Sequence, residues 1–95
     1  MSKPSGLGAL NGTSVALLDC LVHHADTRWV RRWIVVHACP ISERSGRRSM
    51  HQLRAFGLVE QEQRRGGVAG VEIWIRATPL GRALIQARYA SEVAA

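Results

Sequence analysis

The stretch Ser42-Glu43-Arg44-Ser45-Gly46-Arg47-Arg48-Ser49-Met50-His51-Gln52-Leu53-Arg54-Ala55-Phe56-Gly57-Leu58-Val59 decides how the chain is read. Pro40 ends whatever precedes it, Ser42 or Ser45 offers a capping hydroxyl, and Gly57 is a helix stop, so the spacing predicts a helix between them. Advancing about 100° per residue gathers Arg44, Arg47, Arg48, His51, Gln52, Arg54 and Ala55 into one arc. Gly46, Ser49, Met50, Leu53 and Phe56 fall on the opposite arc. The helix therefore has an apolar underside and a basic top. Glu43 lies outside the basic arc, which holds no acidic residue, whereas a merely solvated face mixes charges of both signs.

Downstream, Leu58 to Gln63 leads into the turn-forming run Arg64-Arg65-Gly66-Gly67-Val68-Ala69-Gly70, and Val71, Ile73 and Ile75 then alternate with Glu72, Trp74 and Arg76. Period-two alternation on either side of a Gly-rich loop predicts a hairpin. Thr78-Pro79 opens another helix, with a capping hydroxyl and Pro at the first helical position. Leu80, Leu84 and Ala87 give it an apolar face, and it runs to about Glu92. Upstream, Thr13 or Ser14 caps a helix in which Val15, Leu17, Leu18, Leu21 and Val22 recur at helical spacing as far as His23 and His24. Arg28 to Ala38 is ambiguous, since Trp33-Ile34-Val35-Val36 suits a strand or a buried helix; helix is the reading adopted. Residues 1–12, with Pro4, Gly6, Gly8 and Gly12, read as a flexible leader, and 13–95 as one domain.

A chain of 95 residues with 46% hydrophobic content has the size of one small globular unit. Thirteen Lys+Arg against seven Asp+Glu leave a formal charge of +6, and the pI is near 11.0. That balance suggests a polyanionic partner. Only Lys3 is a lysine; the other cations are arginines, whose planar fork suits phosphates and guanine edges. No apolar run approaches the roughly 20 residues of a membrane span, and Met1 to Gly12 lacks the core of a secretory signal, so a cytoplasmic location is expected. Cys20 and Cys39 imply no disulfide framework in a reducing compartment.

The order helix, helix, helix, strand, basic loop, strand, helix resembles the winged helix-turn-helix family over roughly residues 13–90. Ser49 to Glu60 is similar to the end of a recognition helix entering the first wing strand. Thr78-Pro79-Leu80-Gly81-Arg82 is similar to the Thr-x-x-Gly-Arg element that follows the second wing strand in bacterial regulators of the multiple-antibiotic-resistance and phenolic-acid types. The resemblance implies an α+β, mainly α, fold: a three-helix core, a two-stranded hairpin wing and a C-terminal helix. The chain departs from the larger antibiotic-resistance regulators in lacking their long dimerisation helices and their Asp-x-Arg wing pattern.

In that fold the second helix of the motif lies in the major groove. The expected partner is double-stranded DNA, read at base edges by Arg47, Arg48, His51 and Gln52, with Arg44 and Arg54 toward the backbone and Ser45 also among the DNA-binding residues. Arg64 and Arg65 would reach a groove or phosphate from the wing, and Arg28, Arg31 and Arg32 could clamp phosphates beside it. A homodimer through Leu80, Leu84, Ile85 and Tyr89 of the last helix is expected, since such proteins bind two-fold half-sites.

Other chemistries have less behind them. Cys20, His23, His37 and Cys39 are zinc-type ligands, but Cys20 sits on an apolar helix face and no compact Cys-x-x-Cys pair occurs, so no metal is expected. The carboxylates form no evident pair, and phosphate-loop and nucleophile-elbow motifs are absent, so neither cofactor nor enzymatic activity is expected. Trp29 and Trp33 read as core, whereas Trp74 alternates with the isoleucines and would point outward or cover the first wing strand. The rival functions are an interaction module gripping an acidic protein and an architectural DNA-binding factor.

Overall fold

The first helix begins one turn before its apolar residues need it to. In the computed structural model, which describes residues 10–66, 68 and 70–94, α1 spans Gly12–Ala25 and the Asn11 carboxamide caps it by accepting from the Ser14 amide at 2.8 Å. Thr13 and Ser14 are therefore not the cap. The Ser14 hydroxyl is buried and donates instead to Gln52 Oε1 at 2.5 Å. Leu10 packs in the core, so residues 10–12 belong to the domain and not to a leader; the rest of the expected leader lies outside the described residues.

The ambiguous segment is both things in turn. Val30–Arg31 forms β1 and Arg32–Ala38 forms α2. Val30 pairs with Ile75 and Arg31 with Trp74, so the sheet has three antiparallel strands in the order β1-β3-β2, one more than the expected hairpin. β2 (Val59–Gly66) and β3 (Gly70–Ala77) pair throughout, from Val59 with Ala77 to Gly66 with Gly70.

The predicted basic helix is α3, Glu43–Ala55, and it is Ser42 whose hydroxyl accepts the Ser45 amide at 3.1 Å. Its C-terminus closes through a paired reverse turn: Leu58 N–H donates to Leu53 carbonyl at 2.9 Å and Gly57 N–H to Arg54 carbonyl at 3.0 Å. Gly57 adopts φ +72°, which a side chain would strain. Leu53 and Leu58, which flank this turn, are both buried in the core, as that motif favours.

Leu17, Leu18 and Leu21 of α1, Val35 of α2, Leu53 of α3, Ile75 of β3 and Ile85 of α4 (Pro79–Ala94) form the fully buried centre. Thr78, Gly81 and Arg82 of the Thr-x-x-Gly-Arg element each have a structural contact at this junction. Thr78 Oγ1 donates to the Gly57 carbonyl at 2.8 Å and accepts the Gly81 amide at 3.1 Å, capping α4 against the end of α3. Gly81 lies against the Leu58 carbonyl, where a Cβ would collide with the oxygen. Arg82 Nε pairs with Asp26 at the end of α1 at 2.8 Å. In this chain the motif is an architectural junction.

Gly81→Ala is expected to cost about 1–3 kcal/mol, because the obstructing atom is backbone and cannot rotate away. Gly12→Ala, where a Cβ meets nothing within 4 Å, is the matched control. Urea unfolding of both variants measures the difference, and equal stabilities would contradict the close approach.

Candidate nucleic-acid interface

The charge balance of the sequence is distributed unevenly over the surface. Six of the seven acidic residues pair with arginines: Glu72 with Arg31, Glu62 with Arg64, Glu60 with Arg76, Asp26 with Arg82, and Asp19 and Glu92 with Arg88. All five of these arginines lie outside α3. Among the described residues, Arg44, Arg47, Arg48, His51 and Arg54 have no acidic partner, and all five are exposed. The largest group of unpaired arginines among the described residues thus lies on one helix, with Arg28, Arg32 and Arg65 the others.

α3 presents that face because Gly46, Ser49, Met50 and Leu53 are buried beneath it. Ser45 is half-buried, with its hydroxyl 3.0 Å from that of Ser42. Gln52 stands apart from the other expected base readers. Its Oε1 accepts from Ser14 Oγ at 2.5 Å and from the Asn11 amide at 3.4 Å, so its carbonyl oxygen is turned onto the N-terminus of α1.

The wing separates its two arginines. Arg65 is exposed. Arg64 lies over the Trp74 ring at 4.4 Å and the Trp29 ring at 5.3 Å and pairs with Glu62. Arg31 covers Trp74 at 5.4 Å and Arg76 covers Trp29 at 4.7 Å, so cations and rings alternate along one face of the sheet as Arg31, Trp74, Arg64, Trp29, Arg76. Register explains the face: Glu62 opposes Trp74, Arg64 opposes Glu72, and Glu60 opposes Arg76. Trp29 is consequently half-buried under two guanidinium groups, not in the hydrophobic core. Trp33, also expected inside, is 60% exposed and stands edge-on to His37. Of the arginines expected to clamp phosphate, Arg31 is held by Glu72 and Arg28 Nε donates to the Ala25 carbonyl, whereas Arg32 has no acidic partner among the described residues.

On α4 the four expected dimer residues divide. Ile85 is 2% exposed and belongs to this chain's own core, and Leu84 packs partly against that core; Ile85 is thereby removed from any dimer surface. Leu80 and Tyr89 remain exposed. The Tyr89 hydroxyl donates to Asp19 at 2.8 Å, and this bond to a carboxylate raises the phenol's pKa. The described residues include no group of three or more His, Cys, Asp or Glu side chains placed to hold a metal ion.

These elements constitute a winged helix-turn-helix fold: α2 and α3 are the motif, β2 and β3 the wing. Solved structures match it. A PadR family transcriptional regulator from Eggerthella lenta superposes with a TM-score of 0.67 at 17% identity, over 86% of this chain and 76% of that one. A MarR family transcription regulator gives 0.70 at 19% identity, over 90% and 53%. The zinc-responsive MarR family member ZitR of Lactococcus lactis gives 0.66 at 13% identity, over 95% and 58%. The chain thus spans little more than half the length of the last two. At these identities the likeness is one of fold. No family model matches the sequence, and no match is found among curated proteins.

Because Arg64 is stacked between two rings, Arg64→Ala is expected to lower stability by about 1 kcal/mol, and Arg65→Ala to stay within about 0.5 kcal/mol of the parent. Denaturant midpoints decide it; equal midpoints for the two variants would sink the stacking role.

Proposed function

We propose that this chain binds double-stranded DNA sequence-specifically and regulates transcription, as a repressor, by occupying its site. The observation that carries the reading is the unpaired arginine face of α3, on a helix whose position in the motif is that of a recognition helix. Arg47, Arg48 and His51 are assigned to base edges, and Arg44 and Arg54 to phosphates. Arg65 at the wing and Arg32 at the start of α2 add phosphate contacts that position the protein without reading sequence. The named functions of the PadR and MarR neighbours agree with this reading.

One recognition helix reads only a few base pairs, so the active species is a two-fold dimer on half-sites about 34–36 Å apart. Leu80 and Tyr89 of α4, which are 54% and 45% exposed, are assigned to that contact, with Val93 exposed beyond them on the same helix.

Selection from random duplex DNA near physiological salt tests the reading. A palindromic motif is expected. Uniform weak retention would favour an architectural role, and no retention a protein partner. At the selected site, Arg48→Ala should weaken binding by about 1–3 kcal/mol and relax preference at one base pair. Arg65→Ala should weaken all sequences alike and reduce the salt slope by about 1. Equal, sequence-independent losses from both would contradict the assignment of base reading to α3.

A further inference from the structure

α1 and the end of α2 bring the chain's two cysteines together. Cys39 is the C-cap of α2 and is buried; Cys20, on α1, is half-buried. The Cys39 thiol points at the Ala16 carbonyl, 4.0 Å away and one helical turn before Cys20, so the two thiols are neighbours on α1's flank. Both cysteines line one open cleft of about 790 Å³ between α1, the α2–α3 turn and α4, with Val15, His23 and Pro40 beside them. A small solute can therefore reach both cysteines from one cleft.

We infer that Cys20 and Cys39 form an oxidisable dithiol that closes to an intramolecular disulfide when a hydroperoxide enters the cleft. The site is independent of the DNA-binding reading. Cys20 is the attacking sulfur. It is the more exposed of the two, whereas burial foremost, and the interaction with Cys20, raise the Cys39 thiol to about 12, so Cys39 reacts second and gives up its proton only as the leaving hydroxyl takes it. The Cys20 sulfur, its proton lost to solvent, attacks the terminal peroxide oxygen, an S–O bond forms and the O–O bond breaks, and the departing alkoxide, or hydroxide from hydrogen peroxide, takes up one proton from solvent to become the alcohol or water. The Cys39 sulfur then attacks the Cys20 sulfenic acid. The S–S bond forms, the S–O bond breaks, and the hydroxyl leaves as water with the Cys39 proton. The net reaction consumes two thiols and one hydroperoxide and, for hydrogen peroxide, yields a disulfide and two waters.

Cys39 stands three residues before Ser42, the N-cap of α3. A bond to α1 therefore ties the turn of the helix-turn-helix motif to the helix on which α3 packs. It closes a loop in the unfolded chain, so the oxidised protein melts at a higher temperature than the reduced one.

The whole chain is treated with hydrogen peroxide, denatured, alkylated and weighed. Expected is loss of two hydrogens and of both alkylatable thiols in monomeric protein, reversed by dithiothreitol and accompanied by a raised melting midpoint. Cys20→Ser abolishes the reaction. In Cys39→Ser and Cys39→Ala, two fillings of the same buried site, Cys20 stops at a sulfenic acid trapped by dimedone. Cys39 remaining alkylatable while Cys20 advances to sulfinic acid, or a disulfide found only between chains, would overturn the inference. None of these readouts involves DNA, so failure of the DNA-binding reading would leave them unchanged.

Discussion

The peptide step from Gly57 to Leu58 is where the recognition helix, the wing and the last helix are joined. Gly57 turns the chain out of α3 with a positive φ, and Leu58 hands it to β2. The Gly57 carbonyl accepts the Thr78 hydroxyl at 2.8 Å and the Leu58 carbonyl accepts the Thr78 amide at 3.0 Å. Both carbonyls at the end of one element are thus satisfied by the residue that starts another. Gly81 lets α4 lie directly on this step, and Arg82 carries the tie on to Asp26 at the end of α1. The orientation of α3 relative to the wing follows from this small set of backbone contacts.

On that frame, electrostatics sort the arginines into two groups. Those on the sheet other than Arg65, and those on α4, face carboxylates across short distances, such as Arg76 to Glu60 at 2.8 Å, and three of them also cover tryptophan rings. Exposed pairs of this kind add little stability each; their larger effect is to offset positive charge away from α3, leaving Arg28, Arg32 and Arg65 as the unpaired arginines outside it among the described residues. The basic arc of α3, which Glu43 lies outside, is a field of a single sign, and in a helix packed over Met50 and Leu53 it cannot rotate inward. The same logic makes Arg64 a sheet residue in spite of its place beside the hairpin loop.

Much of this was legible because it is local. The face of α3 depends only on helical periodicity, the Ser42 cap and the Gly57 stop on residues within a turn, and the wing on the alternation of Val71, Ile73 and Ile75 with Trp74. What was not legible depends on partners far along the chain. β1 exists because Val30 finds the free edge of β3 at Ile75. Asn11, not Ser14, caps α1 because the Ser14 hydroxyl is engaged by Gln52, and that engagement also turns the Gln52 carbonyl oxygen back onto α1. Trp29 and Trp74 read as ordinary aromatics until register sets Arg64 between them. Ile85 looked available on an amphipathic wheel, yet packing assigns it to the interior.

The central claim is that the α3 face is where a polyanion docks, and amide resonances of isotope-labelled protein titrated with duplex DNA test it most directly. The account predicts the largest shifts at residues 44–54 and a second group around Arg65, with the exposed part of α4 unchanged. Shifts confined to α4 or to the cleft lined by Cys20 and Cys39, with α3 unmoved, would contradict it.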